Sequence, residues 1–311
     1  MKASVSSLPA TAESAVNLDS AARLLTSKSP FTVLSELIKL RLTSLVLMTT
    51  GVGFYLGSAR PMDWTAFVNT LVGTGCVAAA AAVLNQWMER AHDARMNRTQ
   101  DRPLPSGRVD PSSALAGGLI GAVAGLGYLM VTVGRLPALL GAVTLVIYLL
   151  IYTPLKRVTV LNTVIGAIPG ALPPVIGWTA ARGSLDSGGW SLFALLAFWQ
   201  LPHFLAIAWM YREDYARAGF AMLPVFDETG ARTAAQALAH SIGLVAVSLA
   251  PFLFGLVGTL YLWGALGLGG MFVWRAVQFR RGVEWASARR LFLASIVYLP
   301  GVLGLLVLGK I

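Results

Sequence analysis

From about residue 38 onward the chain alternates between long apolar runs and short polar stretches. The runs hold neither the strict alternation of a half-buried strand nor the three-and-four spacing of an amphipathic helix. Their length predicts helices that cross a bilayer. Apolar stretches of at least about sixteen residues number nine, at roughly 38–57, 66–84, 112–132, 136–153, 160–179, 191–210, 235–254, 256–274 and 291–308. Few residues separate the third run from the fourth, or the seventh from the eighth. The predicted fold class is all-α: a polytopic membrane protein whose nine transmembrane helices, within residues 31–311, surround a central cavity. Residues 1–30 are polar and rich in Ser and Ala, with Glu13 and Asp19 among them. They lack the apolar centre of a secretory signal, and two acids with few arginines argue against a mitochondrial transit peptide. The expectation for 1–30 is a disordered cytoplasmic tail.

Composition agrees: 56% of the 311 residues are hydrophobic and 12% are charged, which is membrane-protein usage. A formal net charge of +10 could signal a nucleic-acid partner, but the placement of the charges points elsewhere. Twenty of the 24 lysines and arginines fall in the amino-terminal stretch and in every second loop after it. The intervening segments hold only Arg60, Arg135, Arg182 and Lys310. This asymmetry predicts a cytoplasmic amino terminus, a cytoplasmic loop between the second and third spans, and a carboxyl terminus outside. The basic excess is thus topology: no nucleic acid is expected, the partner is the lipid bilayer, and the expected location is a bacterial inner membrane. The single cysteine, Cys76, lies in an apolar run. It offers no disulfide and no cysteine metal site, and is expected to be a small buried side chain.

Chemistry begins where the second run ends, in NQWMERAHDARMNRTQDRPLPSGR, residues 85–108. Asn85, Glu89 and Asp93 are four residues apart, which on a helix makes one stripe with about 6 Å between neighbours. Two or three of these oxygens can converge on a small hard cation, and Mg²⁺ is the usual choice where phosphate must also be held. The arginines that follow, among them Arg98 and Arg102, offer planar forks to phosphate oxygens. The same spacing also builds ordinary surface ion pairs. Here it continues directly from a membrane span, where ionisable groups are costly and functional by default. The combination suggests a diphosphate held at the membrane surface with its lipid tail in the bilayer.

A second stretch, FWQLPHFLAIAWMYREDYARAGFAMLPV at 198–225, again ends a span on the same face. It carries His203 within the span and Glu213 and Asp214 just beyond it, between Tyr211 and Tyr215. Pro202 should loosen the helix near His203. Two acid-bearing loops four spans apart suggest a pseudo-repeat closing around one cavity. Between them, Lys156 and Arg157 add positive charge to that face, and Asn162 is a polar group early in the fifth run. Gly166, Pro169, Gly170, Pro173 and Pro174 should break that helix, as backbone lining a cavity often does.

Together these segments resemble the UbiA-type intramembrane prenyltransferases, and within them the branch that farnesylates haem. The likeness rests on Asn85, Asp93, Met96, Arg98-Thr99 and Arg102-Pro103-Leu104; on Tyr152-Thr153, Leu155-Lys156-Arg157, Thr159 and Asn162; and on Gly170-Ala171, Pro173-Pro174 and Gly177-Trp178. It continues through Trp199-Gln200, Pro202-His203-Phe204, Asp214-Tyr215, Ala218-Gly219 and Met222-Leu223-Pro224-Val225. It covers nearly the whole chain after residue 30, and the last strings are particular to the haem branch. Glu89 and Ala91 stand where the family usually has aspartates, Ala221 where it has proline, and the second acidic motif is reduced to Asp214 beside Glu213.

The resemblance implies a UbiA-like bundle that joins the farnesyl group of farnesyl diphosphate to a vinyl group of haem B, water completing haem O. It implies Mg²⁺ held by Asn85, Glu89, Asp93 and Asp214, with Glu89, Asp93 and Asp214 as the catalytic acids. Arg98, Arg102, Lys156 and Arg157 would hold the diphosphate, and His203 and Asn162 are candidate contacts to the haem. Partner proteins implied are a haem A synthase or terminal-oxidase assembly factors. The competing readings are a sister prenyltransferase acting on a quinone precursor or chlorophyllide, a secondary transporter, and a non-catalytic assembly scaffold. A transporter would place its ionisable residues near the bilayer midplane, and a scaffold would not need the acids and arginines gathered together.

Overall fold

The structure, a computed structural model, describes residues 28–311, so nearly all of the tail expected over 1–30 lies outside the described residues. Among the described residues nine helices are long and apolar enough to cross a membrane. They are Leu40–Gly57, Trp64–Asp93, Pro111–Thr132, Arg135–Leu155, Asn162–Arg182, Ser187–Met210, Ala231–Leu253, Thr259–Arg281 and Trp285–Leu308. Each answers one predicted run, and the ends differ for local reasons. The second span continues nine residues past the predicted end at 84, through Asn85, Gln86, Glu89 and Asp93. These polar residues are buried against the protein, and the segment is rich in good helix formers, so loss of apolar periodicity does not end the helix. The ninth begins at Trp285, where Glu284 and Ser287 form a reciprocal cap. A short helix that the apolar pattern did not predict, Pro30–Leu37, precedes the first span; Ser29 caps it and Pro30 opens it.

Three helices depart from regularity where the sequence suggested strain. The fifth span is two helices, Asn162–Ala171 and Pro173–Arg182, joined at Leu172. Pro173 supplies no amide hydrogen to continue the ladder. The fourth widens into a π-helical turn over Val146–Tyr152, a feature that often marks functional positions. The sixth, by contrast, runs unbroken through Pro202, so the expected loosening there does not interrupt the helix.

Spans six to nine pack around one core that includes Trp199, Tyr261, Phe272, Phe279 and Tyr298. Spans two, three and four pack around Val77, Ala80, Leu84, Leu129 and Leu145. The first and fifth spans lie backbone against backbone: a side chain at Gly53 would overlap the Pro174 carbonyl, and one at Gly177 the Thr50 carbonyl. Small residues allow such close approach where the surroundings are lipid. The ninth span reaches the first, and Lys310 Nζ donates to the carbonyls of Tyr55 (2.6 Å) and Ser58 (2.7 Å), capping the first span's end. Cys76 corrects an expectation. It is exposed on the outer surface of the second span, because the buried face of that turn belongs to Gly73, Thr74 and Val77.

Spans one, two, four, five and six enclose a cavity of about 270 Å³. Its walls are mostly Val46, Val77, Ala78, Ala81, Ala82, Pro169, Pro173, Ile176 and Phe204, with Tyr148 and Tyr152 at one end.

Candidate active site

Beyond those two tyrosines the apolar cavity meets a polar chamber of about 100 Å³. Tyr148 and Tyr152 line both spaces, their rings stacked at 5.7 Å. They stand on the π-helical turn of the fourth span. Glu89 and Asp93, 4% and 1% exposed, come from the extended end of the second span. Lys156 Nζ donates to Glu89 Oε1 at 2.8 Å and Oε2 at 3.2 Å, and lies 4.6 Å from the Tyr152 ring centre. Arg102, folding back from the following loop, donates to Asp93 Oδ2 at 2.7 Å. Lys39 Nζ donates to Asn85 Oδ1 at 2.7 Å, and Asn85 Nδ2 donates to Thr153 Oγ1 at 3.1 Å.

Arg98, Arg102 and Lys156, with Lys39 beside them, thus face two carboxylates, and the surplus positive charge favours an anion. Burial, then the charge of Arg102, lowers the Lys39 pKa to about 7. Burial works in the same direction on Lys156, but the neighbouring Glu89 carboxylate outweighs it and its pKa is raised. Lys39 also has φ 49°, left-handed backbone that a lysine rarely adopts. That geometry ends the short helix Pro30–Leu37 and turns the side chain toward the chamber.

The roof is made by the loops after spans two and six. His92 Nδ1 lies 2.8 Å from the Ala218 carbonyl, and Met96, Ala208, Ala218, Phe220 and Met222 form a common apolar cluster. Arg98 lies over the rings of Tyr215 (4.4 Å) and Tyr211 (5.0 Å), a cation–π arrangement that joins the loops further. Ala221 is held from both sides: its N–H donates to the Lys156 carbonyl (2.6 Å), and its own carbonyl accepts from Asn162 Nδ2 (2.8 Å).

Of the residues expected from sequence, Asn85, Glu89, Asp93, Arg98, Arg102 and Lys156 meet in the chamber. The others do not line it. Asp214 is buried and paired with Arg217 of its own short helix, Arg212–Arg217. Arg157 is exposed, its guanidinium 3.4 Å from the Met88 carbonyl. Asn162 serves the roof. His203 faces the ninth span, with Nδ1 2.6 Å from Ser295 Oγ and its ring stacked on Trp199 at 4.9 Å. Phe204, its neighbour, is the one that lines the apolar cavity. Lys39 and Tyr148 are additions. The lysine lies outside every motif, and only the π-helical turn shows which face of the fourth span looks inward.

The donor set fits Mg²⁺. Two carboxylates and an amide oxygen share one helix face, beside cations able to take the phosphate oxygens as a metal takes the acids. Among the described residues no group of three or more His, Cys, Asp or Glu converges. Diphosphate oxygens and water would therefore complete the shell, as Mg²⁺ prefers.

Comparison with known proteins agrees with this geometry. Residues 46–297 match the family described as the UbiA prenyltransferase family. A protoheme IX farnesyltransferase of Solibacter usitatus is 47% identical over 284 residues, covering 88% of this chain and 97% of that one. The mitochondrial protoheme IX farnesyltransferase of Homo sapiens is 39% identical over 278 residues, 89% of this chain and 62% of that one. Among solved structures, a digeranylgeranylglyceryl phosphate synthase superposes with TM-score 0.76 at 16% identity, over 90% of this chain and 98% of that one. A UbiA homologue of Archaeoglobus fulgidus bound to DMAPP and Mg²⁺ gives 0.63 at 15% identity, over 88% and 98%. With nine spans, a one-sided chamber of acids and cations, and this extent of sequence agreement, the chain belongs to the UbiA prenyltransferase family.

Proposed function

We propose that this chain joins the farnesyl group of farnesyl diphosphate to a vinyl group of haem B, releasing diphosphate and, with one water added, giving haem O. The observation that carries this reading is the adjacency of the two cavities, which share Tyr148 and Tyr152 as lining. A polar, cation-rich chamber adjoins, across Tyr148 and Tyr152, an apolar space about 270 Å³ in volume, near the lower end of the roughly 300–1,000 Å³ usual for small-molecule sites. A molecule with a diphosphate head and an isoprenoid tail matches that division. The curated relatives named above supply the choice of farnesyl and haem within the family.

Asn85, Glu89 and Asp93 are the residues that would hold Mg²⁺. When bound, the ion supplies charge neutralisation for the diphosphate as its bond to carbon breaks. Lys156, Arg102, Arg98 and Lys39 bind the phosphate oxygens. Because the first two are already oriented by Glu89 and Asp93, little reorganisation is needed when the leaving group takes up charge. Tyr148 and Tyr152 present ring faces to the first carbons of the tail, where the allylic cation forms, and ring quadrupoles stabilise positive charge. The apolar walls exclude bulk water from that cation. The vinyl carbon supplies the electron pair for the new carbon–carbon bond. The surroundings we propose are a bacterial inner membrane, with the chamber facing the cytoplasm.

The test is an assay of the purified protein in lipid nanodiscs with farnesyl diphosphate and Mg²⁺, offering haem B, 4-hydroxybenzoate or chlorophyllide in separate reactions. Mass spectrometry should find a farnesylated product with haem B alone. Conversion of another acceptor in its place would reassign the chain to a sister activity. Chelation should stop turnover, and added Mg²⁺ should restore it.

A further inference from the structure

On the wall of the apolar cavity, Gln200 carries an amide oxygen to which no hydrogen bond is made among the described residues. Gln200 is 5% exposed and lines the cavity. Its Nε2 donates to the carbonyls of Leu196 (3.0 Å) and Ala167 (3.5 Å). Two carbonyls can only face the amide nitrogen, so they fix the orientation of the group. The oxygen, Oε1, therefore points the other way, and among the described residues no donor reaches it. It lies against Gly170, where a side chain would overlap it. An acceptor left bare in an apolar wall is costly without a partner.

Its depth is informative. A side chain at Gly166 would overlap the Tyr152 ring, which marks the border with the polar chamber. Gly170, against Gln200, is four residues further along the same helix, about 6 Å deeper. Oε1 thus stands about one helical turn past the Tyr152 ring, beside the first isoprene unit of a tail whose head is in that chamber and within one water's reach of its reacting end. Thr74 Oγ1, a second polar atom on the cavity wall, is fully buried without a partner. It is eleven residues from Asn85 on the second span, about 16 Å away, and so belongs with the far end of the tail.

We propose that Gln200 Oε1 holds the water that ends the reaction, so that the cation left on the former vinyl carbon is hydrated rather than deprotonated. The inference rests on the farnesyl-to-haem reading above. The carbon–oxygen bond of farnesyl diphosphate breaks, and its electrons leave with the diphosphate. The terminal vinyl carbon bonds to the farnesyl carbon, and positive charge remains on the vinyl carbon next to the porphyrin ring. A water hydrogen-bonded to Oε1 turns a lone pair toward that carbon and forms the carbon–oxygen bond. The proton it loses ends on the released diphosphate, the base generated in the same turnover. Without an ordered water the same cation loses a proton from the adjacent carbon, giving an alkene one water lighter.

The readout is therefore the product partition, which a merely structural role would not move. Gln200→Met removes the acceptor, and Gly170→Ala displaces it from the opposite side while keeping the amide. Two independent routes guard against the collapse of one variant. With farnesyl diphosphate, Mg²⁺ and haem B in nanodiscs, wild type should give the hydroxylated adduct. Both variants should continue to release diphosphate while the ratio of hydroxylated adduct to alkene falls roughly tenfold, the effect of one hydrogen bond in a competition of rates. Hydroxylated adduct in wild-type proportion from both variants, however slowly formed, overturns the role of Gln200. Absence of any farnesylated haem from wild type overturns the reading of function itself, and is told apart by that control.

Discussion

Lys156 carries two duties that its neighbours separate. It neutralises Glu89, which is buried, and it presents an ammonium to the chamber. Replacing one partner of a buried ion pair leaves an uncompensated charge, at a cost of about 3–5 kcal/mol. Lys156→Met should therefore lower both the melting temperature of the purified protein and its affinity for farnesyl diphosphate. Adding Glu89→Gln removes the stranded carboxylate and should restore most of the thermal stability without restoring turnover. Recovery of turnover in the double variant would show that neither charge is needed for the chemistry. Asp93 tests the same chamber from the metal side. Asp93→Asn keeps the size of a side chain that is 1% exposed but removes its charge. Turnover should drop by roughly 10²–10³-fold, the usual loss for one preorganised electrostatic contact, while the far-ultraviolet circular dichroism stays that of the wild type. Near-normal turnover would remove Asp93 from the metal site.

At the scale of elements, the site depends on one broken helix and on the loop it supports. The first half of the fifth span presents Asn162 to Ala221, and the second half packs backbone to backbone on the first span. Asn162→Ala leaves the Ala221 carbonyl without its donor, a cost of about 1–3 kcal/mol localised to the roof. KM for farnesyl diphosphate should rise while the melting temperature changes little, since the rest of the bundle is untouched. Gly53→Ala acts at the other half. Its new methyl overlaps the Pro174 carbonyl, and overpacking of this kind costs about 1–3 kcal/mol, read as a lowered melting temperature. These dependences also explain what could be read in advance. Asn85, Glu89 and Asp93 were legible because four-residue spacing after a span fixes a common face whatever the tertiary structure. The break at Pro173 was legible because proline acts through its own backbone. Lys39 was hidden because its direction comes from a left-handed turn between two helices. The direction of His203 was hidden for the opposite reason: helical spacing says which residues share a face, but packing decides whether that face meets the cavity or the ninth span.

For the whole molecule, charge and chemistry agree on one side of the membrane. The chamber is lined from the helix ends at Asp93 and Leu155 and from the helix start at Leu40, and strict alternation of nine spans puts the end at Met210 and the start at Asn162 on the same side. The basic loops are on that face, so the asymmetry that orients a membrane protein during insertion also places the cations of the chamber. With the orientation proposed above, the site should be reachable by water-soluble reagents from the cytoplasm alone. Cys76, exposed on the outer surface of the second span, can be replaced by serine to give a cysteine-free background. New cysteines at the exposed positions Gln100, Glu228 and Ser184 then report the loops after the second, sixth and fifth spans. A membrane-impermeant maleimide should label Gln100→Cys and Glu228→Cys in inside-out vesicles and spare them in intact spheroplasts, with Ser184→Cys showing the reverse. Diphosphate added outside the vesicles should slow labelling near the roof at Gln100 more than at Glu228, because the loop after the second span carries Arg98 and Arg102. Labelling of Gln100→Cys and Glu228→Cys from opposite sides would separate the two loops by the width of the bilayer, and no shared chamber could then exist.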